Sequence, residues 1–63
     1  MKTKIYLKDV EDTGDISRIQ REEGLYWFRT SQDEKGIFFV VEGRLEKDKL
    51  GKYLNIMNIE YLD

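Results

Sequence analysis

The 63-residue sequence contains no cysteine, no histidine, no proline and no alanine. Without cysteine there is no disulfide, and without cysteine and histidine there is no zinc site built on thiolate or imidazole ligands. The same absences exclude nucleophilic catalysis of the Ser-His or Cys-His type, and neither a phosphate-binding loop nor a dinucleotide fingerprint is present. The paired carboxylates that remain, such as Glu22-Glu23 and Asp33-Glu34, lie in charged, turn-like stretches. We therefore expect a protein that is not an enzyme and that holds no metal or cofactor.

Long apolar runs and a dominant charge are also missing. The longest apolar run, Ile37–Val41, is far too short to span a membrane, and no apolar stretch of signal-peptide length follows Met1. Charged residues make up 38% of the chain but nearly cancel at a net charge of −2, unlike the basic surface of a duplex-DNA-binding protein. Because 40% of the residues are hydrophobic, the chain should fold. We expect one small β-rich domain over residues 1–63, located in the cytoplasm and without a membrane partner.

Glycine marks the predicted turns. Four of the five glycines end a short charged stretch, and they are Gly14, Gly24, Gly36 and Gly51. The Asp-x-x-Gly pattern of Asp33–Gly36 and Asp48–Gly51 is typical of a three-residue hairpin loop in which glycine adopts a positive φ. Between the turns lie five segments of strand length, at residues 4–10, 16–21, 25–32, 37–46 and 53–61. The spacing predicts an all-β fold, a small five-segment antiparallel meander that curls into a partial barrel.

The second segment has an alternative interpretation as a short helix. Ser17 and Gln20 have the spacing of a capping box. Ile16 and Ile19 would share one helical face, and Gly24 would follow the end of the helix. This alternative is an α+β fold in which the helix packs on a four-stranded sheet. The last segment also has some helical spacing, but its two asparagines disfavour a helix and we expect a strand there.

Three-residue loops at both Asp-x-x-Gly turns would fix the register of the last three strands. Asp33 would lie opposite Ile37, and Gly43 would lie between Trp27 and Met57, which would fill the space beside it. One face then carries the predicted core, namely Ile5, Leu7, Leu25, Trp27, Ile37, Phe39, Val41, Leu45, Met57, Ile59 and Tyr61. The opposite face is also apolar and carries Tyr26, Phe28, Phe38, Val40, Leu54, Ile56 and Leu62.

The second apolar face is the basis of the functional hypothesis. An open antiparallel sheet commonly exposes one polar face, so an apolar one should be covered within the chain, by a second copy or by another protein. We predict a non-catalytic protein-binding module, such as a small inhibitor of the kind encoded by phages and mobile elements. The predicted binding residues are Tyr26, Phe28, Phe38, Val40, Arg44 and Ile56, with Arg44 over the Tyr26 ring. A homodimeric structural protein that uses the same face is an alternative.

A short motif provides a further alternative. The pair Trp27-Phe28 and the later stretch Glu34-Lys35-Gly36-x-x-Phe39-Val40 resemble the opening of a cold-shock domain. The resemblance implies a small β-barrel that binds single-stranded nucleic acid, with Tyr26, Trp27, Phe28 and Phe39 stacked on bases and Lys35 and Arg44 on phosphates. Ile37 and Phe38 depart from the pattern of that family. Another protein, or a second copy of the chain, is therefore the preferred partner over nucleic acid.

Overall fold

The computed structural model describes residues 1–62, which form one four-stranded antiparallel sheet and one α-helix. The elements in chain order are β1 (Lys2–Leu7), α1 (Gly14–Glu22), β2 (Tyr26–Asp33), β3 (Gly36–Glu42), a 3₁₀ helix (Lys47–Gly51) and β4 (Ile56–Leu62). The strand order is β2-β3-β1-β4, so β1 and β3 are central and β2 and β4 are the edges.

The sheet-dominated fold class is confirmed, but the sheet is open and its strands do not follow one another as a meander. β4 pairs with β1 instead of β3, because the Asp48–Gly51 stretch forms the 3₁₀ helix and not a hairpin loop. The burial of its side chains agrees with the central position of β1. Ile5, Tyr6 and Leu7 are buried in succession, and only a strand covered on both faces can bury consecutive side chains.

The second predicted segment is a helix, as the α+β alternative states. Helix α1 buries Ile16 and Ile19 against the sheet, and Gly24 follows its end with φ of +71°. The predicted capping box is wrong, because the helix begins at Gly14, ahead of Ser17 and Gln20. Its first turn is instead tied to the segment just before β4. There the Asp15 carboxylate accepts a hydrogen bond from the backbone N–H of Asn55, at 3.0 Å.

The β2–β3 hairpin differs from the predicted register by one residue. A two-residue turn joins the strands, so Asp33 lies opposite Gly36 and not opposite Ile37. The register shifts again between Trp27 and Arg29, where Phe28 is the extra residue of a β-bulge. Because of this second shift, Trp27 returns to the face that it was predicted to occupy and contacts Phe39 edge to face, at 5.8 Å between ring centroids.

The main core lies between α1 and the sheet. Its buried members are Ile5, Leu7, Ile16, Ile19, Phe39, Val41, Leu45, Tyr53, Ile56 and Ile59. The predicted core is therefore confirmed for most sheet residues but wrong for Met57 and Trp27, which are 50% and 46% exposed. The assignment of Ile56 to the opposite face is also wrong. The pairing of β4 with β1 passes from Asn58 directly to Ile56, so an irregularity at Met57 turns Ile56 into the core.

Gly43, just after β3, lies where only glycine fits. Its φ is +112°, and a Cβ atom there would clash with Leu25, whose side chain occupies the space that was predicted for Trp27 and Met57. The Gly43 carbonyl accepts a hydrogen bond from the buried Thr3 hydroxyl at 2.8 Å. The close approach of Leu25 and the hydrogen bond to β1 together fix the end of β3.

We expect Gly43→Ala to lower the free energy of unfolding by about 1–3 kcal/mol, because it adds a side chain at a strained backbone angle. The control is Gly51→Ala. Gly51 has no positive φ and open space around its Cα, so alanine there should leave stability unchanged or raise it by up to about 1 kcal/mol. Urea unfolding followed by circular dichroism measures both. Equal effects of the two substitutions would contradict this account of Gly43.

Tyr53 attaches the segment before β4 to the end of α1. Its ring is fully buried, and its hydroxyl donates a hydrogen bond to Glu23 Oε2 at 2.9 Å. Burial, followed by this hydrogen bond to a carboxylate, raises the pKa of Tyr53 to about 12. A tyrosine whose pKa is higher in the folded state stabilises the fold fully below its ordinary pKa of 10.0, and the contribution is lost as the pH rises through 12.

Tyr53→Phe should therefore lower stability at neutral pH by about 1.5–3 kcal/mol, the usual contribution of a hydrogen bond to a charged group. The variant should also lose part of the decline in stability that the wild type shows between about pH 10 and pH 12. Urea unfolding at neutral and alkaline pH measures both effects, and Tyr26→Phe at the exposed Tyr26 is the control. An unchanged alkaline decline in Tyr53→Phe would show that Tyr53 is not its source.

Candidate protein-interaction surface

The face of the sheet opposite α1 has its own apolar cluster. Tyr6, Phe38 and Val40 form it, with Leu62 packed against them, and none of the described helices lies over it. The Tyr6 and Phe38 rings are 5.4 Å apart between centroids. Phe38 is nevertheless only 5% exposed and Val40 only 1%. Other side chains must therefore cover the centre of this face.

The cover is built from long charged side chains centred on Lys4. The Lys4 Nζ atom lies 4.2 Å from the centroid of the Phe38 ring and 3.1 Å from Asp33 Oδ2. Its aliphatic stem shields the cluster while the ammonium group remains at the surface. At the same end of the face, Lys35 Nζ lies 2.6 Å from Glu60 Oε2. An apolar cluster under charged side chains replaces the open apolar face expected from the sequence.

Asp33 is the acceptor that holds this cover in place. Its carboxylate accepts hydrogen bonds from the Tyr6 hydroxyl at 2.6 Å, the Lys4 ammonium at 3.1 Å and the Lys35 backbone N–H at 2.8 Å. These donors, the Tyr6 hydroxyl foremost, lower the pKa of Asp33 to about 2. The same hydrogen bond raises the pKa of Tyr6, so the pair consists of a neutral phenol and an ionised carboxylate over a wide pH range.

The exposed apolar surface lies instead at the start of edge strand β2. Tyr26, Trp27 and Phe28, called here the aromatic segment, are 71%, 46% and 51% exposed. The Trp27 Nε1–H donates a hydrogen bond to the Thr30 hydroxyl at 3.0 Å, which orients the indole. Lys2 Nζ lies 5.5 Å from the centroid of the Phe28 ring. Three consecutive aromatic side chains thus flank the sheet edge, with Trp27 on the face of α1 and Tyr26 and Phe28 on the opposite face.

The six predicted binding residues are not one accessible patch. Tyr26 and Phe28 are exposed, and Phe38 and Val40 share their side of the sheet but are buried beneath the charged cover. Ile56 belongs to the core on the other side.

The Arg44 guanidinium stacks on Tyr61, with its Cζ atom 4.0 Å from the ring centroid. Its Nε–H donates a hydrogen bond to Glu46 Oε1 at 3.0 Å. The predicted stacking of Arg44 on Tyr26 is therefore wrong, because Tyr61 and Glu46 hold the guanidinium elsewhere. Of the residues that the cold-shock resemblance would assign to base stacking, Phe39 is buried in the core.

The predicted protein-binding set omits Trp27, which only the cold-shock alternative places at the surface, and sequence reasoning missed Lys4 as a cover. Alternation with Tyr26 and Phe28 predicts Trp27 in the core, but β2 is an edge strand and the core reaches only one side of the indole ring. For Lys4, a signal was available. It alternates with Ile5 and shares a face with Tyr6, so it had to lie on the face away from the core.

Comparison with known protein families, curated proteins and solved structures found no match for this chain. Within residues 1–62, neither helix is long and apolar enough to cross a membrane. The same part of the chain contains no group of three acidic side chains placed to hold a metal ion, and it forms no pocket.

We expect Asp33→Asn to loosen the charged cover and reduce stability at neutral pH, because the carboxamide no longer attracts the Lys4 ammonium. A carboxylate whose pKa is lowered on folding contributes stability above its ordinary pKa of 3.8, and the contribution is lost as the pH falls through about 2. The stabilities of wild type and variant should therefore converge as the pH falls from about 4 to 2.

Urea unfolding across this acid range measures the convergence. Glu34→Gln is the matched control, because Glu34 is the exposed neighbour of Asp33 and forms none of the ion pairs seen in residues 1–62. If Asp33→Asn and the wild type lose stability in parallel over this interval, Asp33 does not carry the effect.

Proposed function

We propose that the protein is a non-catalytic protein-binding module and that the aromatic segment of β2 is its principal contact surface. The observation that carries the proposal is the exposure of three consecutive aromatic side chains, Tyr26, Trp27 and Phe28, at a sheet edge. Their exposed fractions amount to roughly 300 Å² of aromatic surface. Tyr26 and Phe28 lie on one side of the edge strand and Trp27 on the other, and their combined area is within the size range of the largest apolar patch of a typical monomer, which is often functional.

The chemistry of the surroundings also suits a protein partner. Tyrosine, tryptophan and arginine are enriched among the residues that dominate binding energy. Arg29 follows the aromatic segment directly, Lys2 lies over Phe28, and neither cation takes part in an ion pair of the described residues. An aromatic centre with unpaired cations beside it favours an apolar partner surface with acidic groups at its rim. A small inhibitor, as expected from the sequence, would act by covering such a surface.

Site-directed photo-crosslinking tests the proposal. A photoreactive phenylalanine analogue in place of Phe28 should crosslink to one protein species in a lysate, and the same analogue in place of Met57 should not. Met57 is the matched control because it is half exposed on the other edge strand. Tyr26→Ala should weaken the captured complex by roughly 30-fold, as for a residue that contributes about 2 kcal/mol to binding.

Three results would count against the proposal. Equal crosslinking from the two positions would indicate non-specific contact, and none from either would leave the aromatic segment without a protein partner. Quenching of Trp27, the single tryptophan of the chain, by a single-stranded oligonucleotide would favour nucleic acid if added salt reverses it steeply.

A further inference from the structure

The second half of β2 has a free backbone edge. From Arg29 to Asp33 the strand pairs regularly with β3 on one side and with no described strand on the other. These five residues follow the bulge at Phe28, contain no proline, and carry polar or charged side chains. Their outward N–H and C=O groups are therefore available to another strand.

The two-residue turn determines which backbone groups point outward. Asp33 and Gly36 are the first and last residues of the turn, so the Asp33 backbone faces β3. Inward and outward residues alternate along a strand. Thr30 and Gln32 therefore direct their N–H and C=O groups away from the sheet, whereas Arg29, Ser31 and Asp33 direct theirs towards β3.

We propose that this edge pairs with the same edge of a second copy of the chain, in antiparallel orientation about a twofold axis at Ser31. Thr30 then lies opposite the partner's Gln32, and the two residues exchange backbone hydrogen bonds. Arg29 lies opposite the partner's Asp33. Both occupy the face of Val40 and the charged cover, because Arg29 pairs with Val40 and the Asp33 carboxylate bonds Lys4 and Tyr6.

Charge complementarity selects this register from the five twofold axes, at Arg29 to Asp33, that the alternation of backbone groups allows. An axis at Asp33 would place two Asp33 side chains opposite each other. An axis at Arg29 would place two Arg29 side chains opposite each other, and an axis at Gln32 would place Arg29 opposite the partner's Lys35. An axis at Thr30 would leave Arg29 opposite the partner's Ser31. Only the axis at Ser31 pairs Arg29 with Asp33, and symmetry makes the ion pair twice.

Asp33 can take this additional partner. A carboxylate has about four acceptor positions, and the three donors within the chain leave one of them free. Its side chain is 32% exposed, and Arg29 forms none of the ion pairs found in the described residues. Opposite charges directly across two strands stabilise the pairing.

The dimer would have one continuous eight-stranded sheet with the aromatic segments at the two ends of the new strand pair. The two Phe28 positions would lie about 20 Å apart along the strands, at about 3.4 Å per residue from the axis. The pairing goes beyond the proposed function and does not require the aromatic segment to bind any other protein. If both hold, each dimer presents two contact surfaces and gains from bivalency.

Cysteine substitution tests the pairing directly, because the wild-type chain has no cysteine. The two copies of Ser31 form a non-hydrogen-bonded pair with Cα atoms about 4.5 Å apart, within disulfide range. Ser31→Cys should therefore oxidise to a covalent dimer. Gln32→Cys should not, because its two copies lie beyond about 7 Å in this register. Ser17→Cys, on the exposed side of α1, measures collisional oxidation.

Sedimentation of the cysteine-free protein over about a hundredfold range of concentration tests whether the dimer forms without a crosslink. We expect a concentration-dependent dimer whose dissociation constant rises at least tenfold in Arg29→Glu, where like charges would face each other. Lys8→Glu makes the same charge change at an exposed position outside the sheet and should leave the constant unchanged.

A monomer at every concentration, with Ser31→Cys oxidising no faster than Ser17→Cys, overturns the pairing. Preferential crosslinking of Gln32→Cys, or equal effects of Arg29→Glu and Lys8→Glu, overturns the register. Failure of the photo-crosslinking at Phe28 leaves these outcomes unaffected, so the two proposals fail separately.

Discussion

The fold depends on a central strand that must be covered on both faces. Consecutive residues of β1 are buried, and a strand directs consecutive side chains to opposite sides of a sheet. The single described α-helix covers only one side, where Ile16 and Ile19 pack on the sheet. The other side has no helix within the described residues, so Lys4 and its ion-pair partners supply the cover. A small chain thereby buries a second apolar cluster with side chains instead of a further element.

The central position of β1 also determines what the sheet exposes. With β1 and β3 inside, β2 becomes an edge, and its two halves differ in character. The bulge at Phe28 interrupts the regular ladder beside the aromatic segment, which disfavours strand addition there while leaving the rings accessible. The polar half from Arg29 to Asp33 keeps a regular free edge. One half is therefore suited to side-chain recognition and the other to backbone pairing.

Local signals in the sequence predicted local structure well. The turn at Asp33–Gly36, the Ile16 and Ile19 stripe and Gly24 after the helix each act within a few residues, and the structure contains all three, but the turn has a two-residue loop and not the predicted three-residue one. The strand order is not a local property. The Asp48–Gly51 pattern resembles a hairpin turn, but the stretch forms a 3₁₀ helix and β4 pairs with the free side of β1.

The candidate surface was predictable only in part for a related reason. Alternation placed Tyr26 and Phe28 on the face with Phe38 and Val40, but it gave no information about the reach of Lys4, whose stem spans the neighbouring strand. The two register irregularities, at Phe28 and Met57, each reverse the alternation. The alternation of side chains along one strand cannot locate a bulge, because the bulge depends on how that strand pairs with a strand distant in the sequence. For this reason the sequence pattern predicts Ile56 on the face opposite the core.

Asp33 connects the internal cover with the proposed dimer. Within one chain its carboxylate holds Tyr6 and Lys4 over the apolar cluster. Across the proposed twofold axis the same group would face Arg29. Because its pKa is about 2, protonation does not affect either role at physiological pH. Salt does distinguish between them. The contacts with Tyr6 and Lys4 are short and half-buried, whereas an ion pair with the exposed Arg29 is open to solvent and more strongly screened. Added salt should therefore weaken the proposed association of two copies before it loosens the face that Asp33 stabilises.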